Sequence, residues 1–295
     1  MPRERGRLNV LTVDVEEYYH GVEFTHAVGV EGLGRLPSRV VPTTERLLDL
    51  LDRHRARATF FTLGLVAQRE PRLVRAIVER GHELASHGWD HTPVPALGPA
   101  GFRRDVATAK RALEQASGHA VWGYRAPNFS IRRDTPWAFT TLWEEGHAYD
   151  SSVHPIAHDR YSFPDAPRFP HVAAEVDGGD FWEVPIGTAR VAGTNLPLGG
   201  GFFRLFPLGL VRAGLDSVNR RDGRPFVLYV HPWEFDPGQP RLAMKRSHRF
   251  RHYVGIERAE TKLAALLAAF DFTSIVDAFP QVRPTTPALL TTRAS

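Results

Sequence analysis

Short apolar runs alternate along this chain with stretches whose apolar residues recur every three or four positions. LNVLTVDV (8–15) is a continuous apolar run, the pattern of a strand covered on both faces. TTERLLDLLDRHR (43–55) predicts an amphipathic helix opened by a Thr cap. ATFFTL (58–63) follows as a strand, PRLVRAIVERG (71–81) as a helix with Pro at its start and Gly at its end, and HELAS (82–86) as a third strand. GFRRDVATAKRALEQASG (101–118) predicts a long helix and AVWGY (120–124) a strand; TPWAFTTLWEEG (135–146) and HAYDSS (147–152) repeat that order. Further on, FWEVPI (181–186) and FVLYV (226–230) read as strands, LGLVRAGLDSVNRR (208–221) and GIERAETKLAALLAAF (255–270) as helices, and FTSIVDA (272–278) as a last strand. Strand and helix alternating at this spacing imply an α/β fold around a parallel sheet, open or closed into a barrel. The Pro- and Gly-rich stretch 152–204 is expected to form long loops over the sheet, and the tail 281–295 to be disordered.

Composition narrows the chemistry. The 295 residues are 42% hydrophobic and 24% charged, ordinary for a globular chain with room for a large core. There is no cysteine, so disulfides and thiolate metal sites are excluded, and any metal must be held by His, Asp or Glu. Asp14 interrupts the first apolar run too early for a signal-peptide core, and no stretch reaches the ~20 apolar residues of a membrane span. The expectation is a soluble, cytoplasmic protein made without cleavage. The net charge of +4 is spread widely; its densest run, KRSHRFRHY (245–253), reads as a solvated Arg-rich face, and nucleic-acid signatures are missing.

The polar residues fall repeatedly where the strands end, the edge at which parallel α/β folds collect their functional groups. In ELASHGWDH (83–91), with His82 just before it, His82 and His87 are five apart and could not share a metal on one helix face, whereas His87 and His91 at i and i+4 could. Such a pair is weak by itself. Asp14, Glu16 and Glu17 close the first strand, however, and GYRAPNFS (123–130), YDSS (149–152) and YVHPWE (229–234) close later ones. Each has a bland reading as a cap, surface pair or core histidine; five at one edge are much less bland together.

These motifs resemble the polysaccharide deacetylases of carbohydrate esterase family 4, whose shared domain is the NodB homology domain. Within it, DVEEYYH (14–20), GGGFFRLFP (199–207) and FRHYVG (250–255) resemble the branch associated with exopolysaccharide biosynthesis and exosortase systems. The resemblance runs over about residues 8–280, with 236–280 as a family-specific C-terminal extension of the catalytic domain. It implies a distorted (β/α) barrel with outer helices and long rim loops, and hydrolysis of N-acetyl groups on an N-acetylated oligo- or polysaccharide. It also implies one divalent metal ion, zinc foremost, with cobalt, nickel or manganese as alternatives. By resemblance His87 and His91 are metal ligands, Asp14 the general base, His231 the general acid, and Arg125, in the motif with Pro127, the residue that holds the catalytic Asp. The common pair of adjacent Asp residues is replaced by Asp14-Val15-Glu16; strand alternation turns Asp14 and Glu16 to one face and favours Glu16 over Glu17 as third ligand. Asp150 is taken as the acid that orients His231, with Glu183 the alternative. Pro127, Trp89, Trp233 and Tyr19, with Trp182, are the expected substrate contacts, the aromatic ones reading equally as rim core.

Two other functions stay open on the residues alone. One is a deacylase acting on a small non-sugar amide through the same site. The other is a non-catalytic carbohydrate-binding protein on the same fold, which should lack one of Asp14, His87, His91, Arg125 and His231; none is missing. LGGGFF (198–203) suggests part of a groove wall and carries no phosphate-loop Lys-Ser/Thr. Oligomeric state is not legible.

Overall fold

The computed structural model describes residues 8–33, 35–157, 163–176 and 179–284. Its strands are β1 (Leu8–Val15), β2 (Thr59–Thr62), β3 (Glu83–Ser86), β4 (Gly123–Tyr124), β5 (Tyr149–Asp150), β6 (His171–Val176), β7 (Gly179–Glu183), β8 (Thr188–Val191), β9 (Thr194–Pro197), β10 (Val227–Val230) and β11 (Asp271–Thr273). The main sheet runs β10-β1-β2-β3-β4-β5-β7-β6, with β11 beside the start of β1. Every neighbour pair in it is parallel except β6–β7.

The strand period divides β1 between two cores. Leu11, Val13 and Val15 face outward onto Leu47, Leu48 and Leu51 of helix α2 (Val40–His54), with α1 being Val22–Leu33, and onto Leu263 and Leu266 of the helix Ile256–Ala269. On the other face Val10 packs with Phe61 of β2, Ala85 of β3, Tyr149 of β5, Val184 just past β7, and Val227 of β10. Side chains from strands so far apart in a sheet meet only if the sheet curls round on itself. Backbone hydrogen bonds bring its edges together: Val184 N–H donates to Asp150 O (2.8 Å) and Gly187 N–H to Val227 O (2.9 Å). The segment after β7 thus reaches from β5 to β10 and curls the mostly parallel sheet toward the distorted barrel that the family resemblance implies, with helices outside.

Several elements differ from expectation. Residues 152–204 do not form loops alone: β6–β7 extends the main sheet and β8–β9 forms a separate hairpin. The β8–β9 turn is Ala192-Gly193, both at positive φ, the two-residue geometry that matches strand twist. Helix α2 begins at Val40 rather than at a Thr cap; Thr43 is inside it, its hydroxyl donating back to Arg39 O at 2.7 Å. Only Gly123–Tyr124 of 120–124 pairs as strand, and 272–278 divides into β11 and a short helix, Ile275–Ala278. Residues 285–295, most of the tail expected to be disordered, lie outside the described residues. Among the described residues no helix is long and apolar enough to cross a membrane.

His82 marks a pH dependence. It is 5% exposed against Phe60, and burial, with help from Arg57, lowers its pKa to about 4. The folded chain therefore keeps His82 neutral at pH values where the unfolded chain protonates it, so stability is lost as pH falls from about 6.5 towards 4. His82→Leu removes this loss: relative to wild type it should gain about 1–2 kcal/mol between pH 7.5 and pH 5. Urea midpoints at the two pH values measure it; parallel curves for both proteins would assign the proton elsewhere.

Candidate active site

β1 delivers two carboxylates to one end of the barrel. Because side chains alternate along a strand, Asp14 and Glu16 share the face that carries Val10 and Thr12. Both are buried, at 2% and 3% exposure. Glu17 turns away: it accepts hydrogen bonds from the Ser38 hydroxyl and from Arg39 N (2.9 Å), capping the approach to α2. Glu16 is therefore the carboxylate that stands with His87 and His91, and ligand atoms of the three lie within 4.8 Å of one another.

His87 and His91 meet through a loop, not on a helix face. Gly88 (φ 75°) and His91 (φ 72°) take left-handed conformations that fold residues 87–91 back over the end of β3. A left-handed His is uncommon, and such backbone strain gathers at functional sites. Ring orientation is set from outside: His87 Nδ1 lies 2.8 Å from Arg125 O, which leaves Nε2 for the site, and the His91 ring stacks on His20 at 5.3 Å and 13°. His91 Nε2 is 2.5 Å from Glu16 Oε2. Burial lowers the pKa of both His87 and His20 to about 4, so these imidazoles are neutral and lone-pair donors near pH 7.

Arg125 lies behind the carboxylates, fully buried over the Phe61 ring at 4.1 Å. Its Nη1 donates to Asp14 Oδ1 (2.7 Å) and Thr12 Oγ1 (2.8 Å), its Nε to Ser151 O and its Nη2 to Ser151 Oγ, both at 2.9 Å. Fixed at four points, the guanidinium holds one oxygen of Asp14 and leaves Oδ2 for the cavity. Pro127 begins the following turn, where Asn128 (φ 55°) and Phe129 (φ 51°) are again left-handed.

His231 ends β10, the strand beside β1, and its Nε2 is 3.9 Å from Asp14 Oδ2 and 3.7 Å from Glu16 Oε1. On its other side Nδ1 is 3.5 Å from Glu234 Oε2. Burial works to lower the His231 pKa, but Glu234 foremost, then Glu16 and Asp14, raise it to about 9.

Asp150 is not the carboxylate beside His231, and neither is Glu183. Asp150 accepts from Ser152 N (3.0 Å) and Ser152 Oγ (2.7 Å), while Glu183 accepts from Val153 N (3.0 Å). Both are fully buried neighbours whose pKa values burial raises, Glu183 further through its closeness to the Asp150 carboxyl. They brace the Ser151 turn that grips Arg125, so Asp150 supports the Asp14 side of the site. Sequence reasoning passed over Glu234 because it sits past the strand end, on the turn Pro232–Phe235, three residues after the histidine it faces. The spacing in HPWE was the available signal.

The expected aromatic platforms are also placed otherwise. Trp233 is 7% exposed between His231 (5.0 Å, 25°) and His252 (4.6 Å, 12°), and its Nε1 donates to Glu16 Oε1 at 3.1 Å. Tyr19 is 8% exposed, edge-on to Tyr18 and His20. Trp89 packs against Gly64, where an added Cβ would meet its ring at 2.6 Å, and Trp182 packs against the barrel-interior cluster. The glycines of LGGGFF serve close approach: a Cβ on Gly199 or Gly200 would stand 2.3 or 2.6 Å from the Tyr229 ring. The stretch forms a wall by packing on that ring.

A buried carboxylate and two oriented imidazoles, with a clamped aspartate and a histidine opposite it, is the setting in which the chain's relatives can be compared. Residues 36–142 match the polysaccharide deacetylase family, and 151–280 match a domain of unknown function, DUF3473. A chitooligosaccharide deacetylase of Sinorhizobium fredii is 41% identical over 112 residues, 38% of this chain and 49% of that protein. Residues 36–142 thus form a polysaccharide deacetylase domain, the domain shared by carbohydrate esterase family 4.

Other family relatives are more distant. The peptidoglycan-N-acetylglucosamine deacetylase PgdA of Listeria monocytogenes is 30% identical over 90 residues, 30% of this chain and 19% of that enzyme. The matched stretch therefore spans about half of the first relative and a fifth of the second. A Mycobacterium smegmatis crystal structure assigned as a polysaccharide deacetylase superposes with a TM-score of 0.61 and 23% identity, covering 100% of this chain and 97% of that one. The candidate site is divided unevenly between the two matched regions. His87, His91 and Arg125 lie in the first, His231 and Glu234 in the second, and Asp14 and Glu16 precede both.

Proposed function

We propose that the protein is a metal-dependent hydrolase that removes acetyl groups from N-acetylhexosamine units of a polysaccharide, in exopolysaccharide biosynthesis. The observation that carries the reading is the facing pair of Asp14 and His231 beside the Glu16, His87 and His91 donor set. Two imidazoles and a carboxylate suit a divalent ion such as zinc and leave coordination positions open. The buried Glu16 Oε2 finds its close neighbour in the His91 ring, the arrangement of ligands gathered on one centre. A divalent cation held there would polarise the acetyl carbonyl and acidify the attacking water.

The chain's own groups handle the protons. Asp14, held through Oδ1 by Arg125, accepts the proton of the attacking water at Oδ2. Water adds to the amide carbon, and collapse breaks the C–N bond. His231, protonated, gives its proton to the leaving nitrogen, so that acetate and a free amine result. Asp14 Oδ2 and His231 Nε2 stand 3.9 Å apart, so a base and an acid serve one reacting group from neighbouring strands. The sugar class is drawn from the relatives' substrates, and the exopolysaccharide setting from the sequence resemblance of the 199–207 and 250–255 segments.

The test is acetate release from N-acetylglucosamine oligomers by purified protein, before and after chelation and with zinc restored. Activity should fall to background on chelation and return with metal. Metal binding without acetate release would favour a small non-sugar amide as substrate, and absence of metal binding would favour a carbohydrate-binding protein.

A further inference from the structure

We infer that the region matching the domain of unknown function supplies the orienting half of this site: Glu234, locked by Arg204, is the positioning residue for His231. The inference rests on the deacetylase reading and adds to it a role for the C-terminal segment.

Glu234 is fully buried, and each of its oxygens has a distinct task. Oε2 accepts the His231 backbone N–H at 3.0 Å and lies 3.5 Å from His231 Nδ1; Oε1 accepts Arg204 Nε at 2.8 Å. The ring contact is long for a hydrogen bond, as catalytic contacts often are before substrate binds. Arg204, in GGGFFRLFP, spends its remaining donors on backbone: Nη1 on His252 O (2.6 Å) and Val254 O (2.8 Å), Nη2 on Arg251 O (3.2 Å). Those carbonyls belong to FRHYVG. Gly255 closes the clamp at φ 71°, where an added Cβ would meet Arg204 O at 2.4 Å. His252 Nε2 in turn donates to Gln239 Oε1 at 2.6 Å, and the ring stacks on Trp233, which bonds Glu16. A chain of contacts thus runs from 250–255 through Arg204 and Glu234 to the ring facing Asp14.

A buried Arg–Glu pair is weak evidence for stability, since desolvation cancels much of its attraction. Its value here is geometric. The pair fixes a carboxylate on the far side of the reacting histidine, where it faces Nδ1 of the charged ring and keeps Nε2 turned toward Asp14. The three segments 199–207, 231–234 and 250–255 gain a common purpose.

Two measurements test this. In long-range 1H–15N spectra of wild-type protein, with His231 assigned by loss of its signals in His231→Gln, Nδ1 should carry the proton. A wild-type His231 with Nδ1 unprotonated would overturn the assignment without reference to activity. In kinetics on N-acetylglucosamine oligomers, Glu234→Gln should lower kcat about 10²–10³-fold with KM and metal content within about twofold, and Glu234→Asp should recover part of the loss. A folded, metal-loaded Glu234→Gln with wild-type kcat would also overturn it, as would loss of metal and fold in step with activity in both variants. If wild-type protein releases no acetate, the deacetylase reading fails on its own, and the ring spectrum still decides the Glu234–His231 relation.

Discussion

His87→Ala will lose divalent-metal binding and, with it, acetate release. His87 contributes one of three ligand groups that lie within 4.8 Å of each other, and no other described His, Asp or Glu joins that set. Outer-shell changes already cost about 10–100-fold in affinity, so removing a ligand itself should cost more than ~100-fold. The same result is expected for His91→Ala, and Glu16→Ala should follow because Glu17 is committed to Ser38 and Arg39. Calorimetric zinc titration and metal analysis after gel filtration read the loss. Folding should survive: His87→Ala leaves Arg125 O without its ring partner, at about 1–3 kcal/mol. Full occupancy in Glu16→Ala would transfer the third position to Glu17, and full occupancy in His87→Ala would remove the metal centre from this cluster.

Asp14→Asn should separate chemistry from metal binding. Asn keeps an oxygen for Arg125 but cannot take a proton from water, so kcat should fall about 10³–10⁴-fold while zinc affinity stays within a few-fold. Weakening the buried contact at 2.7 Å should also lower stability by about 1.5–3 kcal/mol, since the acceptor loses its charge beside a fully buried guanidinium. Single-turnover acetate release and thermal melts measure the two effects independently. Near-normal kcat would show that another group is the base.

The elements legible in the chain were those whose burial is periodic. LNVLTVDV, buried on both faces, and the helix at 71–79, with Pro first and Gly81 beyond its end, formed where their patterns placed them. FWEVPI overlaps β7, whereas β6 and the β8–β9 hairpin escaped because Pro and Gly surround them and their strands are half-exposed, which blurs the alternation. In the site, the alternation of Asp14 and Glu16 was enough to separate Glu16 from Glu17. Glu234 was not legible as a partner for His231 because strand-end logic favours residues on β5 and β7, and only the turn at 232–235 brings a carboxylate back beneath the ring. Arg204 and His252 were equally hidden, since their meeting depends on separations of 30 and 48 residues. For Trp233 and Tyr19 the sequence left two readings, since an aromatic beside a catalytic motif can face sugar or core; both are buried in one apolar cluster.

β1 lies between β2 and β10, and β10 follows it by more than two hundred residues, so β1 must wait for that late strand to complete its pairing. Trp233 reaches Glu16 across 217 residues, a closure that makes assembly slow relative to local helix formation. On a ribosome the emerging chain is inert until β10 and the turn after it are free to dock. A polypeptide nicked between β5 and β10 should yield two inactive pieces, and recovery of turnover on mixing them would report the docking of that strand alone.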